Sequence, residues 1–372
     1  MGGRTGPLEG VGIKMQKTYL DFYREKRVFV TGHTGFKGAW LCRVLADAGA
    51  VVTGYAMAPP TGPSLFSLME WDGSGMSVIG DIRDRGGLMR AFSDARPDIV
   101  FHLAAQPIVR DSYKDPSYTY ETNVMGTVNV LECIRTLRSP VRSVVIVTTD
   151  KVYENRNWVW GYREDERLDG FDPYSNSKSC AELVVHSYVN SFFAGSQTAV
   201  STARAGNVIG GGDLAHDRII PDCVRAVQSG AAVTLRNPSS VRPYQHVLEA
   251  LSAYLLIGQK QYASPELAGC YNVGPDEEGC VTTGRLVELF GRFWGEGFAW
   301  ESRRETGAPH EAELLRLDCA KIKAKLGWKP KWSIETAVEK TVEWTKAWLS
   351  GENVTQVMDR QIMQYLGGVD KN

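Results

Sequence analysis

The sequence lacks several features that would point to particular classes of protein. It has no apolar run long enough to cross a bilayer, and its start has no apolar segment typical of a secretory signal. Its 42 basic and 43 acidic residues nearly cancel to a formal net charge of −1, which argues against a nucleic-acid or membrane-surface protein. We therefore expect a cytoplasmic protein that binds neither nucleic acid nor membrane.

Cysteine is present, but not in the spacing of a metal site or a disulfide framework. The seven cysteines are scattered between Cys42 and Cys319, and no two of them form a Cys-x-x-Cys pair. We interpret them as reduced, mostly buried thiols, and we predict no metal site.

A glycine-rich turn follows the first predicted strand, Lys26–Val30, and leads into a predicted helix, Ala39–Ala48. Strand, glycine turn and helix in this order are typical of a dinucleotide-binding site. Glycine allows the tight turn, the close approach of a diphosphate and the close packing of the helix, whose free N–H groups attract phosphate. The predicted cofactor-binding residues of this turn are Gly32, Thr34, Gly35, Phe36, Lys37 and Gly38.

The ends of the next predicted strands supply further candidates for the cofactor site. The second strand ends at Tyr55 without an acid or an arginine nearby, so this position does not decide between NAD and NADP. After the third strand, we expect Asp81 and Ile82 to meet the adenine, although Asp81 could instead cap the following helix. The fourth strand continues into small residues that leave room for the cofactor, and its His102 is more often a structural residue than a catalyst. The predicted cofactor-binding residues of this segment are Leu103, Ala104 and Ala105.

The alternation of strands and helices over residues 26–205 predicts the fold class α/β, with a doubly wound parallel Rossmann sheet. The alternation loosens over 206–350, which we interpret as a smaller mixed α/β substrate domain that returns one or two strands near 242–275 to the main sheet. Residues 1–25 are predicted to be an N-terminal extension, and 351–372 a C-terminal tail with a surface helix.

The stretch from Val144 to Lys178 contains the predicted catalytic residues. An apolar strand ends in Thr148-Thr149-Asp150-Lys151, and a long helix begins near Tyr174. Tyr174 and Lys178 lie four residues apart and so share one helix face, where an ammonium lowers the pKa of a nearby phenol.

Together these motifs resemble the extended short-chain dehydrogenase/reductase superfamily over residues 26–350. The motifs are Thr31-Gly-x-x-Gly-Phe-x-Gly38, Asp81-Ile82, His102-Leu-Ala-Ala105, Tyr174-x-x-x-Lys178 and Arg204-x-x-Asn207. Three longer phrases are similar to the CDP-glucose 4,6-dehydratases within it: Gly32–Gly38, Thr149–Asn155 and Gly206–Asp213. In related dehydratases of other sugar nucleotides the Thr-Asp pair is usually followed by Glu, whereas Lys151 stands here.

The resemblance implies an NAD-dependent hydro-lyase that converts CDP-glucose to CDP-4-keto-6-deoxyglucose and water. Tyr174 would be the base at the 4-hydroxyl, Thr149 would bond the 4-oxygen, and Lys178 would bind the nicotinamide ribose. Asp150 would be the acid at the C6 oxygen. Lys151 would be the base at C5, acting as a neutral amine, or would stabilise the enolate as a cation. By family position, the predicted substrate-binding residues are Asn207, Arg218, Arg242 and His246.

Three alternatives remain open at this point: a nucleotide-sugar 4-epimerase, a 4,6-dehydratase of another nucleotide sugar, and a non-catalytic cofactor-sensing regulator. The Asp150-Lys151 pair argues against the epimerase, and the presence of both Tyr174 and Lys178 argues against the regulator. The resemblance also implies a homodimer built on a four-helix bundle from helices 117–137 and 178–193.

Overall fold

The protein is built around one large parallel sheet. The computed structural model describes residues 19–71, 75–303 and 313–367. Its strands are β1 (Arg27–Thr31), β2 (Val51–Ala56), β3 (Gly75–Ile79), β4 (Ile99–His102), β5 (Ser143–Val147), β6 (Ala199–Ala205), β7 (Val208–Ile209), β8 (Val233–Leu235), β9 (Val241–Pro243), β10 (Gln245–His246), β11 (Cys270–Val273), β12 (Cys280–Thr282) and β13 (Trp300–Ser302). Seven of them form the main sheet, in the order β11-β6-β5-β4-β1-β2-β3, and every pairing in it is parallel.

Helices cover both faces of this sheet. They are α1 (Phe36–Asp47), α2 (Leu65–Leu68), α3 (Arg85–Ala95), α4 (Val109–Lys114), α5 (Pro116–Tyr120), α6 (Gly126–Thr136), α7 (Pro173–Tyr188), α8 (Ile219–Ser229), α9 (Val247–Ala263), α10 (Thr283–Trp294), α11 (Ala320–Leu326), α12 (Ile334–Leu349) and α13 (Val354–Gly367). A π-helical turn, Glu121–Met125, joins α5 to α6, and another, Val189–Phe193, extends α7.

The buried side chains of β1 show why the sheet needs two helical layers. Val28 and Val30 pack into one core with α1 and α9, whereas Phe29 packs into a second core with α3 and α6. Successive strand residues point to opposite faces, so a strand that is apolar on both faces requires cover on both. The predicted doubly wound α/β fold is confirmed.

The second half of the chain follows less regular rules. β11 joins the main sheet beside β6, within the range predicted to return strands, but the strands at 241–246 pair elsewhere in two-stranded sheets. A third core, formed mainly by α8, α10 and α12, holds this half together.

Both ends of the described chain pack against the core. The hydroxyl of Tyr23, in a 3₁₀ turn at Tyr19–Tyr23, donates to the Leu255 carbonyl at 2.6 Å. The segment predicted to be a surface tail forms α13, whose Tyr365 is buried and donates to Glu249 Oε2 at 2.7 Å. Because this helix fills the main core with Val357 and Met358, its interpretation as a surface element is wrong. Residues 1–18 of the predicted extension lie outside the described residues.

Within the described ranges, no helix is long and apolar enough to cross a membrane. The same part of the chain contains no cluster of three or more His, Cys, Asp or Glu side chains suited to a metal ion. The seven cysteines are all free thiols.

Candidate active site

The carboxyl ends of the central strands meet at one edge of the sheet. The register pairs Thr31 of β1 with His102 of β4, and His102 with Ile146 of β5. The turns that follow these strands therefore share the edge at which ligands bind in open α/β sheets. A cavity of about 360 Å³ opens nearby, and residues from both halves of the chain line it.

The glycine turn between β1 and α1 has the geometry of a phosphate cradle. Gly32 has a φ of 80°, and a Cβ there would lie 2.7 Å from the Ala104 nitrogen. A Cβ on Gly38 would lie 2.1 Å from the Gly32 carbonyl oxygen, so only glycine allows this close packing. α1 begins after Gly35 with neither a capping side chain nor an acidic residue in its first turn. Its first N–H groups therefore fit a dinucleotide diphosphate.

Thr31 fixes the turn that follows β4. Its Oγ1 accepts hydrogen bonds from the amides of Leu103 and Ala104, both at 3.1 Å, and lies 2.7 Å from His102 Nδ1. The other ring nitrogen of His102 lies 3.1 Å from Thr127 Oγ1, and burial lowers the pKa of His102 to about 3. His102 is therefore a structural residue that holds the turn, not a residue of the cavity. The predicted cofactor segment continues from this turn to Ala105.

Asp81 and Ile82 follow β3, where the sequence predicted contact with adenine. The Asp81 carboxylate accepts hydrogen bonds from the amide of Arg83 at 2.9 Å and from its guanidinium at 2.7 Å. The cap of α3 is Asp84, which accepts from the Gly86 amide at 3.0 Å. The alternative interpretation of Asp81 as this cap is therefore wrong, and the adenine contact stays a prediction.

Asp150 lies at the end of β5 with a buried carboxyl group. Thr149 Oγ1 donates to Asp150 Oδ1 at 3.0 Å, whereas Oδ2 has no hydrogen-bond partner among the described residues. Burial raises the pKa of Asp150, and the Lys151 cation opposes the shift. A carboxyl group in such a site favours its protonated form, as a general acid requires.

Tyr174 lies in the first turn of α7, which Asp172 caps by accepting from the Ser175 amide at 3.0 Å. Its phenol lines the same cavity as Asp150. Burial raises the pKa of Tyr174 to about 12, while a hydrogen bond with Thr149 and the charge of Arg218 lower it. This net shift is opposite to the predicted one, because burial outweighs the neighbours that stabilise the phenolate.

Lys178 lies one turn below Tyr174 on the same face of α7, as predicted. Its Nζ donates to the Val147 carbonyl at 3.3 Å. Burial lowers the pKa of Lys178 to about 8, and Glu182 opposes the shift. An ammonium has three donors, so Lys178 keeps capacity for a ligand such as a ribose hydroxyl.

Glu182 and Arg204 support this lysine; the sequence analysis missed Glu182 and quoted Arg204 only as part of a family motif. Glu182 accepts from Thr148 Oγ1 at 2.5 Å, from Thr202 Oγ1 at 2.8 Å and from Arg204 at 2.8 Å. Arg204 also donates to the Tyr153 hydroxyl at 2.9 Å. The position of Glu182, four residues after Lys178, was the available signal, because it continues the same helix face.

Three of the four predicted substrate residues line the same cavity as Tyr174. Asn207 has a buried Oδ1 with no partner among the described residues. Arg218 donates to Asp213 Oδ2 at 3.0 Å, and Arg242 donates to the Val241 carbonyl at 2.9 Å. The predicted substrate residues therefore contribute two guanidinium groups and one amide to the lining of the cavity.

His246 is not among the residues that line this cavity. It is fully buried, its Nδ1 accepts from the Leu248 amide at 3.3 Å, and its ring lies between Trp40 and Trp332. Burial lowers the pKa of His246 to about 3. The structure therefore places it in the core as the cap of α9, and the prediction that it binds substrate is corrected. Further lining residues that the sequence did not single out are Asn155, Asp213, Arg236, Asn237 and Tyr244.

A comparison with protein families agrees with this site. The family model described as GDP-mannose 4,6 dehydratase matches residues 29–341. The chain belongs to the GDP-mannose 4,6-dehydratase family. Its glycine turn, its Tyr174–Lys178 pair and the arginines of the cavity all lie within the matched range.

Individual relatives place the chain more closely within this family. The CDP-glucose 4,6-dehydratase of Salmonella typhimurium is 46% identical over 357 residues, which cover 94% of this chain and 99% of that relative. The solved UDP-glucose 4-epimerase of Thermus thermophilus, in complex with NAD, is 27% identical with a TM-score of 0.74, covering 86% of this chain and 98% of that one. The UDP-glucose 4-epimerase of Thermotoga maritima, with UDP-glucose, has a TM-score of 0.73 at 23% identity, covers 87% of this chain and 99% of that one, and shows the fold alone.

Proposed function

We propose that the protein is a CDP-glucose 4,6-dehydratase, an NAD-dependent hydro-lyase that forms CDP-4-keto-6-deoxyglucose and water. One observation carries the proposal: Tyr174, Asp150 and Lys151 all line one cavity, beside the buried Lys178. This set includes both the pair required to oxidise C4 and a second acid and base for elimination. The relative from Salmonella typhimurium, of which the chain covers nearly the full length, bears the same name.

The order of the steps follows from the chemistry of the sugar. A hydroxyl at C6 leaves only when the hydrogen at C5 is acidic, and that hydrogen becomes acidic only beside a carbonyl at C4. C4 must therefore be oxidised first. The glycine cradle and the uncapped N-terminus of α1 would hold the diphosphate of NAD, and the bound cofactor would supply the hydride acceptor and donor that the reaction needs.

Tyr174 acts in the first step by taking the proton of the 4-hydroxyl. Thr149, which bonds the phenol of Tyr174, also holds the 4-oxygen. Lys178 contributes from below, where its ammonium favours the phenolate and binds the ribose of the cofactor.

Asp150 and Lys151 act in the elimination. Lys151 takes the C5 proton, the C6–O bond breaks, and Asp150 gives its proton to the departing oxygen, which leaves as water. The raised pKa of Asp150 suits this role, since burial keeps the proton available until the step needs it.

Asn207, Arg218 and Arg242 bind the substrate's diphosphate in this proposal. Guanidinium groups match phosphate in a bidentate way, which gives Arg242, a buried arginine that lines the cavity, the stronger case.

Product analysis tests the proposal directly. We expect the purified protein, incubated with CDP-glucose and NAD, to form a sugar with the ultraviolet absorbance of a 4-keto group in base. Deuterium placed at C4 should reappear at C6. A 4-epimerised sugar without loss of water would favour the epimerase. A preference for dTDP-, GDP- or UDP-glucose in a parallel panel would identify a dehydratase of another nucleotide sugar.

Lys151 either takes the C5 proton as a neutral amine or stabilises the enolate as a cation. A pair of variants separates these two roles. If its amine takes the C5 proton, Lys151→Met abolishes elimination but not C4 oxidation, and Lys151→Glu restores part of it because a carboxylate is also a base. Elimination near the parent rate in Lys151→Met would contradict the assignment of Lys151 as the base.

We also propose a homodimer formed through α6 and α7. Apolar side chains on these helices and their π-helical extensions are exposed: Met125 by 52%, Leu183 by 56% and Phe192 by 50%. Light scattering during gel filtration should report twice the chain mass of 41.1 kDa. Leu183→Glu should yield the monomer if this face is the interface.

A further inference from the structure

Lys37 lies in the glycine turn and also lines the cavity that contains the predicted catalytic residues. The backbone of this turn forms the cradle, whereas the Lys37 side chain lines the same cavity as Asp150 and Tyr174. The sequence predicted Lys37 as a cofactor residue only. Its position on the cavity wall indicates a different ligand.

The charges around Lys37 belong to the reaction site. The groups that act on it electrostatically are two carboxyl groups, Asp150 and Asp213, which favour its ammonium form, and two basic groups, Arg218 and Lys178, which disfavour it. Asp213 is already paired with Arg218 at 3.0 Å. Among the described residues, the Lys37 ammonium has neither a hydrogen bond nor an ion pair.

Asp150 also has an oxygen that lacks a hydrogen-bond partner among the described residues. Lys37 is one of the cations that act on Asp150, together with Lys151 and Arg242. The Asp150 carboxyl is 2% exposed, and its Oδ2 has no partner among the described residues. An ammonium and a carboxyl group with unused hydrogen-bonding capacity thus line one cavity, where a small polar group of a ligand can satisfy both.

We propose that Lys37 is a catalytic residue that binds the C6 oxygen of the hexose together with Asp150. The inference rests on the proposed function and deepens it. As the C6–O bond breaks, its electron pair goes to the oxygen, Asp150 transfers a proton to it, and water leaves. Lys37 keeps its own protons and donates a hydrogen bond that stabilises the negative charge developing on this oxygen.

The ionisation of Lys37 agrees with this role. Burial lowers the pKa of Lys37 to about 8, with Arg218 adding to the shift and Asp150 opposing it. The side chain therefore still carries its proton near neutral pH. The charge of Lys37 favours the ionised form of Asp150, but burial outweighs it and raises the pKa of Asp150, so Asp150 keeps its proton until the C6–O bond breaks.

Lys37→Met tests the assignment, because methionine keeps the length of the chain and removes the charge. We expect an unchanged dissociation constant for NAD, since the backbone cradle stays intact. We expect the rate of product formation to fall about 100-fold, the usual effect of removing one donor from a developing oxyanion. Since C4 oxidation precedes the lost step, mixing with CDP-glucose should accumulate bound reduced nicotinamide, visible by its near-ultraviolet absorbance.

Two variants serve as controls. Lys37→Arg keeps a donor and a charge and should retain more activity than Lys37→Met. Lys114→Met removes a lysine of α4 that is 71% exposed and outside the cavity, and it should behave like the parent.

Three results would overturn the assignment. Lys37→Met that loses NAD affinity but turns over normally at saturating NAD would make Lys37 a cofactor residue. Product formation at the parent rate would remove it from the reaction. Slow C4 oxidation without accumulation of the reduced cofactor would mean that Lys37 acts at C4 and not at C6. If the parent enzyme forms no 6-deoxy sugar, the proposed function fails instead, and the NAD-binding measurement still decides which ligand Lys37 faces.

Discussion

The two sides of the cavity are built on ion pairs of the same kind in different surroundings. On the catalytic side, formed by Thr149–Lys151 and α7, Arg204 pairs with Glu182 at 2.8 Å, and the side chains are 3% and 1% exposed. On the substrate side, formed by 207–242, Arg218 pairs with Asp213 at 3.0 Å, and the Arg218 side chain is 32% exposed. The first pair is enclosed by protein, whereas the second faces the space where a ligand binds.

The difference in exposure between the two ion pairs indicates that they have different functions. Glu182 also accepts hydrogen bonds from residues on β6 and at the end of β5. The buried pair therefore holds α7 against the sheet and fixes the position of Lys178. Arg218 has one acidic partner and an open side, so a phosphate can compete for its guanidinium. Variants on the catalytic side should therefore change rate or stability, and those on the substrate side should change substrate affinity.

The largest effect is expected for Tyr174→Phe. Without the phenol, no group removes the 4-hydroxyl proton, and kcat should fall by about 10³-fold, within the usual range of general acid–base catalysis. Rapid mixing with CDP-glucose should show no reduced nicotinamide. Tyr188→Phe is the matched control. Tyr188 lies on the same helix, does not line the cavity, and its hydroxyl donates a hydrogen bond to Glu132. Full turnover by Tyr174→Phe would remove the phenolate from the mechanism.

Glu182→Gln should give the next largest effect, on stability. Glutamine is similar in shape but leaves the Arg204 charge buried without its counter-ion, which costs about 3–5 kcal/mol. Denaturant unfolding measures this loss. The pKa of Lys178 should also fall in this variant, because Glu182 raises that pKa and so opposes the effect of burial. The alkaline limb of the pH–rate profile should therefore move to lower pH.

A double variant shows whether the loss comes from the unpaired charge. In Glu182→Gln with Arg204→Met, the unpaired guanidinium is also removed, so part of the lost stability should return and the two changes should not be additive. Strict additivity would mean that the two residues act independently, and the contrast drawn between the two ion pairs would then fail.

Arg242→Met should act mainly on affinity. A hydrogen bond to a charged group contributes about 1.5–3 kcal/mol, so KM for CDP-glucose should rise about 10- to 100-fold while kcat changes little. The KM of Arg242→Lys should lie between those of the parent and Arg242→Met, because an ammonium keeps the charge but loses the bidentate geometry. A fall in kcat with unchanged KM would place Arg242 with the catalytic side instead.

The catalytic side was easier to predict from sequence than the substrate side, for a physical reason. Thr149, Asp150, Tyr174 and Lys178 follow a buried strand or begin a helix, so strand ends and helical spacing place them. Arg218 and Arg242 lie on short segments whose positions depend on long-range packing, and only the family resemblance indicated them. The prediction for His246 was wrong because its position in the family does not reveal that its ring packs near two tryptophans.

The packing of Lys37 shows the same limit within the regular half. Its place in the glycine turn was clear from the sequence, but the direction of its side chain was not, because that depends on how α1 faces the cavity. The direction of the pKa shift of Tyr174 was also hidden, since burial is a property of the assembled site.

Two buried histidines, one in each half, provide the smallest and most quantitative comparison. The pKa of His246 falls from 6.5 to about 3, as does that of His102, so each stays neutral in the folded protein while it gains a proton in the unfolded chain below about pH 6.5. The unfolded state then binds more protons, and stability falls with falling pH, by about 1.4 kcal/mol per pH unit for each histidine.

His246→Asn should remove one such contribution and keep the cap of α9, because asparagine is a good N-cap. The slope of unfolding free energy against pH, measured between about pH 6 and 4, should decrease by about 1.4 kcal/mol per pH unit. His102→Asn should change the slope equally but cost more stability at neutral pH, because His102 has partners at both ring nitrogens whereas His246 Nε2 has none among the described residues. An unchanged slope in His246→Asn would mean that this histidine titrates in the folded protein and that the core of the second half admits water.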